Sequence, residues 1–387
     1  MADDKSRLNG AVLIVSNTAW YIYNFRRGLI KELQQQGYAV VDIAPPDEYA
    51  ERLAAIGARF LPLPMDNKGT NPLKDLRLAF ALRRLLRQER PRCALTFTVK
   101  PNVFGAFAAR SLGIPVITNI SGLGTVFIKR NWVTLVVRTL YRSALGFASK
   151  VFFQNPEDLE LFVSSRLVDS SKAQLLPGSG VDVQWFAPVT PSDHPLGKFR
   201  FLLLGRLLWD KGVGEYVDAA TRVRQKFPDC EFVLMGFTDI DNVTAIPTSK
   251  IEDWQRSGLL TYVAPAADVR DELAKAHCVV LPSYREGTPK ALLEASSMAI
   301  PIIATDVPGC RQVVDDGATG FLVKVRDAAD LAEKMERMVR LPESERRAMG
   351  LRGREKMVRE FDERIVIRAY LSAVDRFASR RAQVPIG

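Results

Sequence analysis

Short runs of β-branched and aliphatic residues alternate with longer segments of helical period along this chain, and the alternation stops once and starts again. Ala11-Val-Leu-Ile-Val15, Ala39-Val-Val-Asp-Ile43, Cys93-Ala-Leu-Thr-Phe97, Pro115-Val-Ile-Thr-Asn119 and Val151-Phe-Phe153 read as strands buried on both faces, as in a parallel sheet. Between them, segments such as 25–36 and 73–90 carry apolar residues at helical spacing. This βαβα order predicts a doubly wound α/β domain, because parallel neighbours need a helical crossover. A polar, proline-rich stretch, Pro188-Val-Thr-Pro-Ser-Asp-His-Pro195, then reads as a linker. The pattern restarts at Phe201-Leu-Leu-Leu204. It continues through Phe232-Val-Leu234, Leu260-Thr-Tyr-Val263, Cys278-Val-Val-Leu281, Ile300-Pro-Ile-Ile303 and Gly320-Phe-Leu-Val323. The expectation is two Rossmann-like domains facing across a cleft, the first over 1–187 and the second over 198–362.

Several chemistries lack their raw material. Cys93, Cys230, Cys278 and Cys310 lie too far apart for a zinc knuckle or a CxxC redox pair, and such a sparse set fits a reducing cytoplasm. His194 and His277 are the only histidines, so neither a histidine-built metal site nor a Ser-His-Asp triad is expected. The opening Met-Ala-Asp-Asp-Lys-Ser-Arg has no apolar core of a secretory signal. The uncharged stretch 111–128, as long as any in the chain, is broken by glycines and a proline, so no membrane-spanning helix is expected. Gly122-Leu-Gly124 follows a strand without the third glycine of a dinucleotide fingerprint, and there is no GxxxxGK[ST] loop.

The stretch richest in chemistry is Leu281-Pro-Ser-Tyr-Arg-Glu-Gly-Thr-Pro-Lys-Ala-Leu-Leu-Glu-Ala295. It starts at the carboxyl end of a strand, where open α/β sheets bind ligands. Thr288 suits an N-cap and Pro289 a first helical residue, so a helix is expected to begin there. The amides of Lys290, Ala291 and Leu292 would then form an anion site suited to a diphosphate, with Gly287 allowing close approach. Glu286 lies in the turn and Glu294 inside the helix, so the two can hold different ends of one ligand. A second basic element, Gly205-Arg-Leu-Leu-Trp-Asp-Lys-Gly212, follows the first strand of the second domain. Arg206 and Lys211 can neutralise a leaving diphosphate without a metal. Taken alone, these two charges read equally well as a solvated loop.

These elements, with Pro177-Gly-Ser-Gly-Val-Asp182, Thr305-Asp-Val-Pro-Gly-Cys310 and Asp316-Gly-Ala-Thr-Gly-Phe321, resemble retaining glycosyltransferases of family 4 with the GT-B fold. The branch most similar acts on polyprenyl-diphosphate sugars in bacterial surface-glycan assembly. The resemblance covers essentially the whole chain, and its N-terminal matches include Tyr23-Asn-Phe-Arg26, Lys100-Pro-Asn-Val-Phe-Gly105 and Gly122-Leu-Gly124.

What the resemblance implies is specific. The last helix, within 363–387, crosses back to the first domain. The second domain binds a UDP-sugar: Arg206 and Lys211 on the diphosphate, Glu286 on sugar hydroxyls, Glu294 on the ribose, and Gly205 and residues 287–292 around them. Glu286, Arg206 and Lys211 are the catalytic candidates, and neither metal nor cofactor is expected. A hexose or N-acetylhexosamine would move, with retention, to a polyprenyl (undecaprenyl) diphosphate-linked saccharide for O-antigen, capsule or glycoprotein glycan. Competing readings are a UDP-sugar 2-epimerase of GT-B architecture and a non-catalytic GT-B partner subunit. The sequence departs from the family pattern in three places. Gln312 stands where many members have a glutamate. Residues 1–193 hold no histidine, and Asn17-Thr-Ala-Trp-Tyr-Ile-Tyr-Asn24 replaces a glycine-rich loop.

The first domain would then receive the acceptor, and charge supports that division. Residues 1–185 carry 24 basic and 15 acidic side chains, and between Arg52 and Lys150 the balance is 17 to 3. Arg77, Arg83, Arg84, Arg87, Arg90 and Arg92 fall in one helix-period segment. Lys129, Arg130, Arg138 and Arg142 interleave with Trp132, Leu135, Val136, Leu140 and Tyr141 in another. Basic amphipathic helices of this kind suit an anionic membrane surface, so peripheral attachment at the inner face of the plasma membrane is expected. No nucleic-acid motif accompanies them, and nucleic acid is not an expected partner. Arg26 and Lys100, each just past a strand, are the candidates for the acceptor diphosphate, with Asn17, Gly122 and Gly124 beside them.

Overall fold

The computed structural model describes residues 9–66, 71–122, 132–188, 198–238, 242–266 and 268–382, without the side chains of 132–136 and 378–382. The chain divides into two units, Met1–Ser179 with Arg364–Gly387, and Gly180–Glu363. The first contains β1 (Ala11–Val15), β2 (Ala39–Ala44), β3 (Arg59–Pro62), β4 (Cys93–Phe97), β5 (Val116–Ile120), β6 (Lys150–Phe153) and β7 (Ala173–Leu175). They form one parallel sheet in the order β3-β2-β1-β4-β5-β6-β7. The second contains β8 (Arg200–Leu204), β9 (Glu231–Met235), β10 (Thr261–Val263), β11 (Cys278–Leu281), β12 (Ile302–Thr305) and β13 (Gly320–Val323). Its parallel order is β10-β9-β8-β11-β12-β13. Both are doubly wound Rossmann-like domains, the pair of domains that makes the GT-B fold.

The two-residue period of a strand explains why these runs are apolar throughout. In the first unit Val12, Ile14, Val40 and Ala44 pack with residues of the Ala19–Gln35 helix and of the last helix, Glu363–Ala382. The alternate residues Leu13, Val15, Val41 and Ile43 pack on the other face with Leu78, Leu82 and Leu86 of the Pro72–Glu89 helix. Val366, Tyr370 and Val374 thus place the last helix in the first unit's core, as the sequence resemblance implied. The backbone leaves and re-enters the second unit along paired segments: Val181 donates to Phe361 O at 2.8 Å and accepts from Glu363 N at 3.0 Å.

The strands read from sequence are present within a residue or two, and two edge strands were not anticipated. β3 ends on a proline and β7 is three residues long, so neither has the uninterrupted apolar run that marks an interior strand. The first helix begins at Ala19 rather than near Phe25. Thr18 caps it, its side chain accepting from Tyr21 N at 3.0 Å. The aromatic run Trp20–Tyr23 is therefore helical and not a loop. Among the described residues no helix is long and apolar enough to cross a membrane.

Candidate active site

The turn that carries Glu286 is clamped between the ends of two neighbouring strands. After β8 the chain forms a 3-10 turn, Trp209–Lys211, and enters the next helix through Gly212 at φ 74°. A Cβ on Gly212 would lie 2.0 Å from Pro282 O, so only glycine lets the β8 loop close on the β11 loop. Tyr284 N donates to Asp210 O at 2.9 Å, and Asp210 in turn accepts from Thr244 Oγ1 at 3.2 Å. These contacts deliver Lys211 to Glu286, with which it forms an ion pair whose side chains are only 18% and 11% exposed. On the far side the loop after β12 does the same. Gly309 has φ 85°, and a Cβ there would lie 2.0 Å from Gly287 O. Thr305 Oγ1 donates to Ser283 O at 2.5 Å.

The helix expected after this turn is Lys290–Ser297, and its start differs in one respect from the sequence reading. Pro289 is the cap rather than the first helical residue, with ψ 113°, and Thr288 lies outside the helix. The Pro289 carbonyl accepts from Leu292 N at 3.1 Å and Leu293 N at 3.3 Å. Leu292 thus spends its amide inside the helix and drops out of the expected anion site. The amides of Lys290 and Ala291 remain at the open first turn, outside the helical ladder. Gln312 accepts from Gly309 N at 2.5 Å, so its side chain braces the same loop.

Glu294 differs from Glu286 in its surroundings. It is buried at 9% exposure, and its carboxylate stands 3.7 Å from Lys290 Nζ. Burial pushes its pKa above the usual carboxylate range, Lys290 opposes that shift, and Asp268 adds to it. Arg206 is exposed and has no ion-pair partner among the described residues, in contrast to Lys211. Gly205 N donates to Met235 O at 3.0 Å, which ties the base of this loop to β9. No group of three or more His, Cys, Asp or Glu side chains is arranged to hold a metal ion among the described residues.

In the first unit the acceptor candidates separate. Arg26 is not a surface charge: it is 2% exposed, its guanidinium lies 4.3 Å from the Phe97 ring centroid and 5.5 Å from that of Tyr370. Its Nη2 donates to Tyr21 OH at 3.2 Å, and its Nε has no hydrogen-bond partner among the described residues. The early helix start is the cause, because it puts residue 26 on the inward stripe with Ile22, Leu29, Ile30 and Leu33. This placement corrects Arg26 as a group presented to an acceptor. Lys100 is half-buried and pairs with Asp75 at 2.6 Å. Asn17 and Gly122 sit partly buried just past β1 and β5, and Gly124 lies outside the described residues. Unanticipated from sequence is Thr98, a β-branched residue at φ 68° between β4 and Lys100, followed by a π-helical turn at Pro101–Gly105. Both features are uncommon and concentrate at functional sites.

Comparison with known proteins places this geometry. Residues 198–340 match the family described as glycosyl transferases group 1, and residues 24–179 match the glycosyl transferase 4-like domain. The N,N'-diacetylbacillosaminyl-diphospho-undecaprenol alpha-1,3-N-acetylgalactosaminyltransferase of Campylobacter jejuni is 28% identical over 94% of this chain and 97% of its own. The UDP-Gal:alpha-D-GlcNAc-diphosphoundecaprenol alpha-1,3-galactosyltransferase of Escherichia coli is 29% identical over 66% of this chain and 68% of its own. Among solved structures, the sucrose-phosphate synthase of Thermosynechococcus elongatus superposes with a TM-score of 0.79 at 20% identity, covering 96% of this chain and all of that one (100%).

Proposed function

This chain belongs to the group 1 glycosyltransferases with a 4-like N-terminal domain, and from that premise we propose that it glycosylates a lipid-linked saccharide. The donor is a UDP-sugar carrying a hexose or N-acetylhexosamine, and the acceptor is a polyprenyl-diphosphate-linked saccharide of bacterial surface-glycan assembly. The names of the two relatives supply the acceptor class, and one of them names a UDP-sugar. The observation that carries the donor side is the clamped turn, in which two glycines without room for a side chain bring Lys211, Glu286 and an open helix start into one place.

The chemistry follows from those groups. Departure of a nucleoside diphosphate builds negative charge on the leaving oxygens. Arg206, Lys211 and the amides of Lys290 and Ala291 are preorganised to receive it, so the bond breaks against fixed dipoles rather than reorganising water. Glu286 accepts hydrogen bonds from donor-sugar hydroxyls and orients the ring, and Glu294 does the same for the ribose. Cations and oriented amides offset the diphosphate charge, and no metal is required in this reading. The acceptor hydroxyl attacks the face that the diphosphate leaves and passes its proton to the departing diphosphate oxygen, which gives retention.

Attachment to the inner membrane face belongs to the same proposal. The helix Pro72–Glu89 turns Leu73, Leu76 and Phe80 outward at 69%, 54% and 63% exposure. Arg77, Arg84 and Arg87 are exposed on the same face, while its acidic residues Asp75 and Glu89 are paired with Lys100 and Arg59. Apolar groups beside arginines that have no ion-pair partner among the described residues suit an anionic lipid surface.

The decisive experiment incubates the purified protein with a panel of labelled UDP-sugars and membrane lipid extract. Label in organic-extractable lipid supports the proposal. Isomerised nucleotide sugar without lipid label points to an epimerase, and neither product points to a binding subunit.

A further inference from the structure

We propose that Lys290 is a positioning residue that holds the buried Glu294 carboxylate in its charged form, ready to accept hydrogen bonds from the ribose hydroxyls of a nucleotide donor. The inference rests on the donor reading above and adds a role for the Lys290 side chain beyond that of its amide.

Lys290 goes against two local rules. It is the first residue of the helix Lys290–Ser297, and that helix has no acidic residue in its first turn. A cation at this end opposes the helix dipole. Lysine four residues before glutamate is also the weaker order for such a pair. Local preferences broken in this way concentrate where function demands them.

Glu294 supplies the demand. It is 9% exposed, and a carboxylate removed from water tends to take up a proton. Among the described residues two charged groups act on it. Lys290, at 3.7 Å, favours the carboxylate. Asp268, from the connection after β10, disfavours it. Asp268 is itself held by Arg270, whose Nε lies 2.9 and 3.0 Å from its two oxygens and whose guanidinium stacks 3.7 Å from the Trp185 ring centroid. β11, β12, the helices Cys310–Val313 and Glu343–Lys356 and the π-helical turn Met357–Phe361, which also pack on the Glu294 helix, bring no further charged group to bear on it among the described residues. Without Lys290 the balance is burial plus Asp268, both favouring the protonated acid. A protonated Glu294 keeps fewer acceptor sites and adds an O–H that competes with the ribose hydroxyls.

The test measures UDP affinity by isothermal titration from pH 6 to 8 for the native chain, Lys290→Met, Lys290→Arg, Glu294→Gln and the Met/Gln double variant. UDP is the probe because its own titration cancels in the ratio of variant to native dissociation constant. For Lys290→Met that ratio is expected to rise severalfold as pH falls from 8 to 6, because the variant's carboxyl takes up its proton at a higher pH than the native one. Lys290→Arg restores the native profile, since it returns the cation. Glu294→Gln weakens binding evenly across pH, and adding Lys290→Met to it produces no further slope. A flat ratio for Lys290→Met, or a slope that survives in the double variant, overturns the inference. Failure of the native chain to bind UDP at all overturns the donor reading and this inference with it; binding with a flat Lys290→Met ratio overturns this inference alone.

Discussion

Lys211 and Glu286, 75 residues apart in sequence, form an ion pair across the carboxyl ends of the neighbouring strands β8 and β11. Both side chains are mostly buried, so each neutralises a charge that would otherwise be costly to keep there. Removing either alone, by Lys211→Met or Glu286→Gln, is expected to destabilise the chain by about 1–3 kcal/mol. The reversed pair, Lys211→Glu with Glu286→Lys, recovers most of that stability in urea titrations. It does not recover sugar transfer, because the diphosphate then meets a carboxylate. Retained transfer in the reversed pair makes the contact purely structural and removes both residues from the catalytic set.

Gly212 and Gly309 close on the turn from opposite sides, each at a positive φ and each with a backbone carbonyl 2.0 Å from where a Cβ would stand. A methyl group there cannot be accommodated by rotating a side chain, since the obstacle is main chain. Gly212→Ala and Gly309→Ala are expected to lower the thermal midpoint, by about 4–8 °C per kcal/mol for a domain of about 100 residues and somewhat less here. Donor KM should rise with it, as the Lys211–Glu286 geometry loosens. The control is Gly317→Ala, where φ is also positive, 75°, but no atom lies within 4 Å of the added Cβ. Equal losses in all three variants reduce the effect to φ alone.

Asp42 sits in β2 with 0% exposure, and neither carboxylate oxygen has a hydrogen-bond partner among the described residues. Burial pushes its pKa well above the ordinary range. The folded chain therefore holds this proton more tightly than the unfolded chain. Its contribution to stability is complete below the unfolded carboxylate pKa and is lost as pH rises toward the folded value. Asp42→Val removes both the orphaned group and the pH term. At pH 8 it is expected to stabilise the fold by about 1–3 kcal/mol, with a smaller gain at pH 5. Chemical denaturation at the two pH values checks it, and a gain independent of pH contradicts the burial argument.

What could be read in the sequence is whatever local spacing encodes. The interior strands announce themselves because both faces are apolar, and the Glu286–Glu294 segment because strand end, glycine and helix start fall in succession. Three features depend on tertiary closure and left no such mark. Gly309 belongs to the site only because its loop meets Gly287. Lys290 matters through its side chain because Glu294 is buried, which sequence does not tell. Arg26 read as an acceptor-binding charge because the helix was expected to start near residue 25. A threonine cap at 18 rotated it into the core, where Phe97 from β4 and Tyr370 from the far end of the chain meet it.

That relocation of Arg26 changes what its substitution should do. A buried guanidinium with an unpaired Nε contributes little net stability, and an apolar residue of similar length fits the same aromatic cage. Arg26→Met is expected to leave the acceptor KM unaltered and to shift stability by less than about 1.5 kcal/mol. Lys100→Gln breaks a half-buried pair with Asp75 and is expected to raise the acceptor KM severalfold without changing donor KM. A raised acceptor KM for Arg26→Met restores Arg26 to the acceptor site.

The outward face of the Pro72–Glu89 helix gives the membrane proposal a test that folding cannot confuse. Leu73, Leu76 and Phe80 recur at three- and four-residue spacing, so they form one stripe, and each is more than half exposed. An exposed residue gives up little on substitution, so Leu73→Glu with Phe80→Glu should leave the urea midpoint within about 0.5 kcal/mol of native. Full insertion of two such side chains is worth about 1.5–3 kcal/mol each. Partial insertion beside unfavourable new charge still implies at least about a tenfold loss of binding to vesicles containing anionic lipid. Arg84→Gln with Arg87→Gln should instead weaken binding at low salt and converge with native at high salt, because screening removes a charge term and leaves an apolar one. Vesicle cosedimentation at two ionic strengths separates these cases. If the double glutamate variant binds as well as the native chain, this helix is a solvated outer face and the membrane contact lies elsewhere.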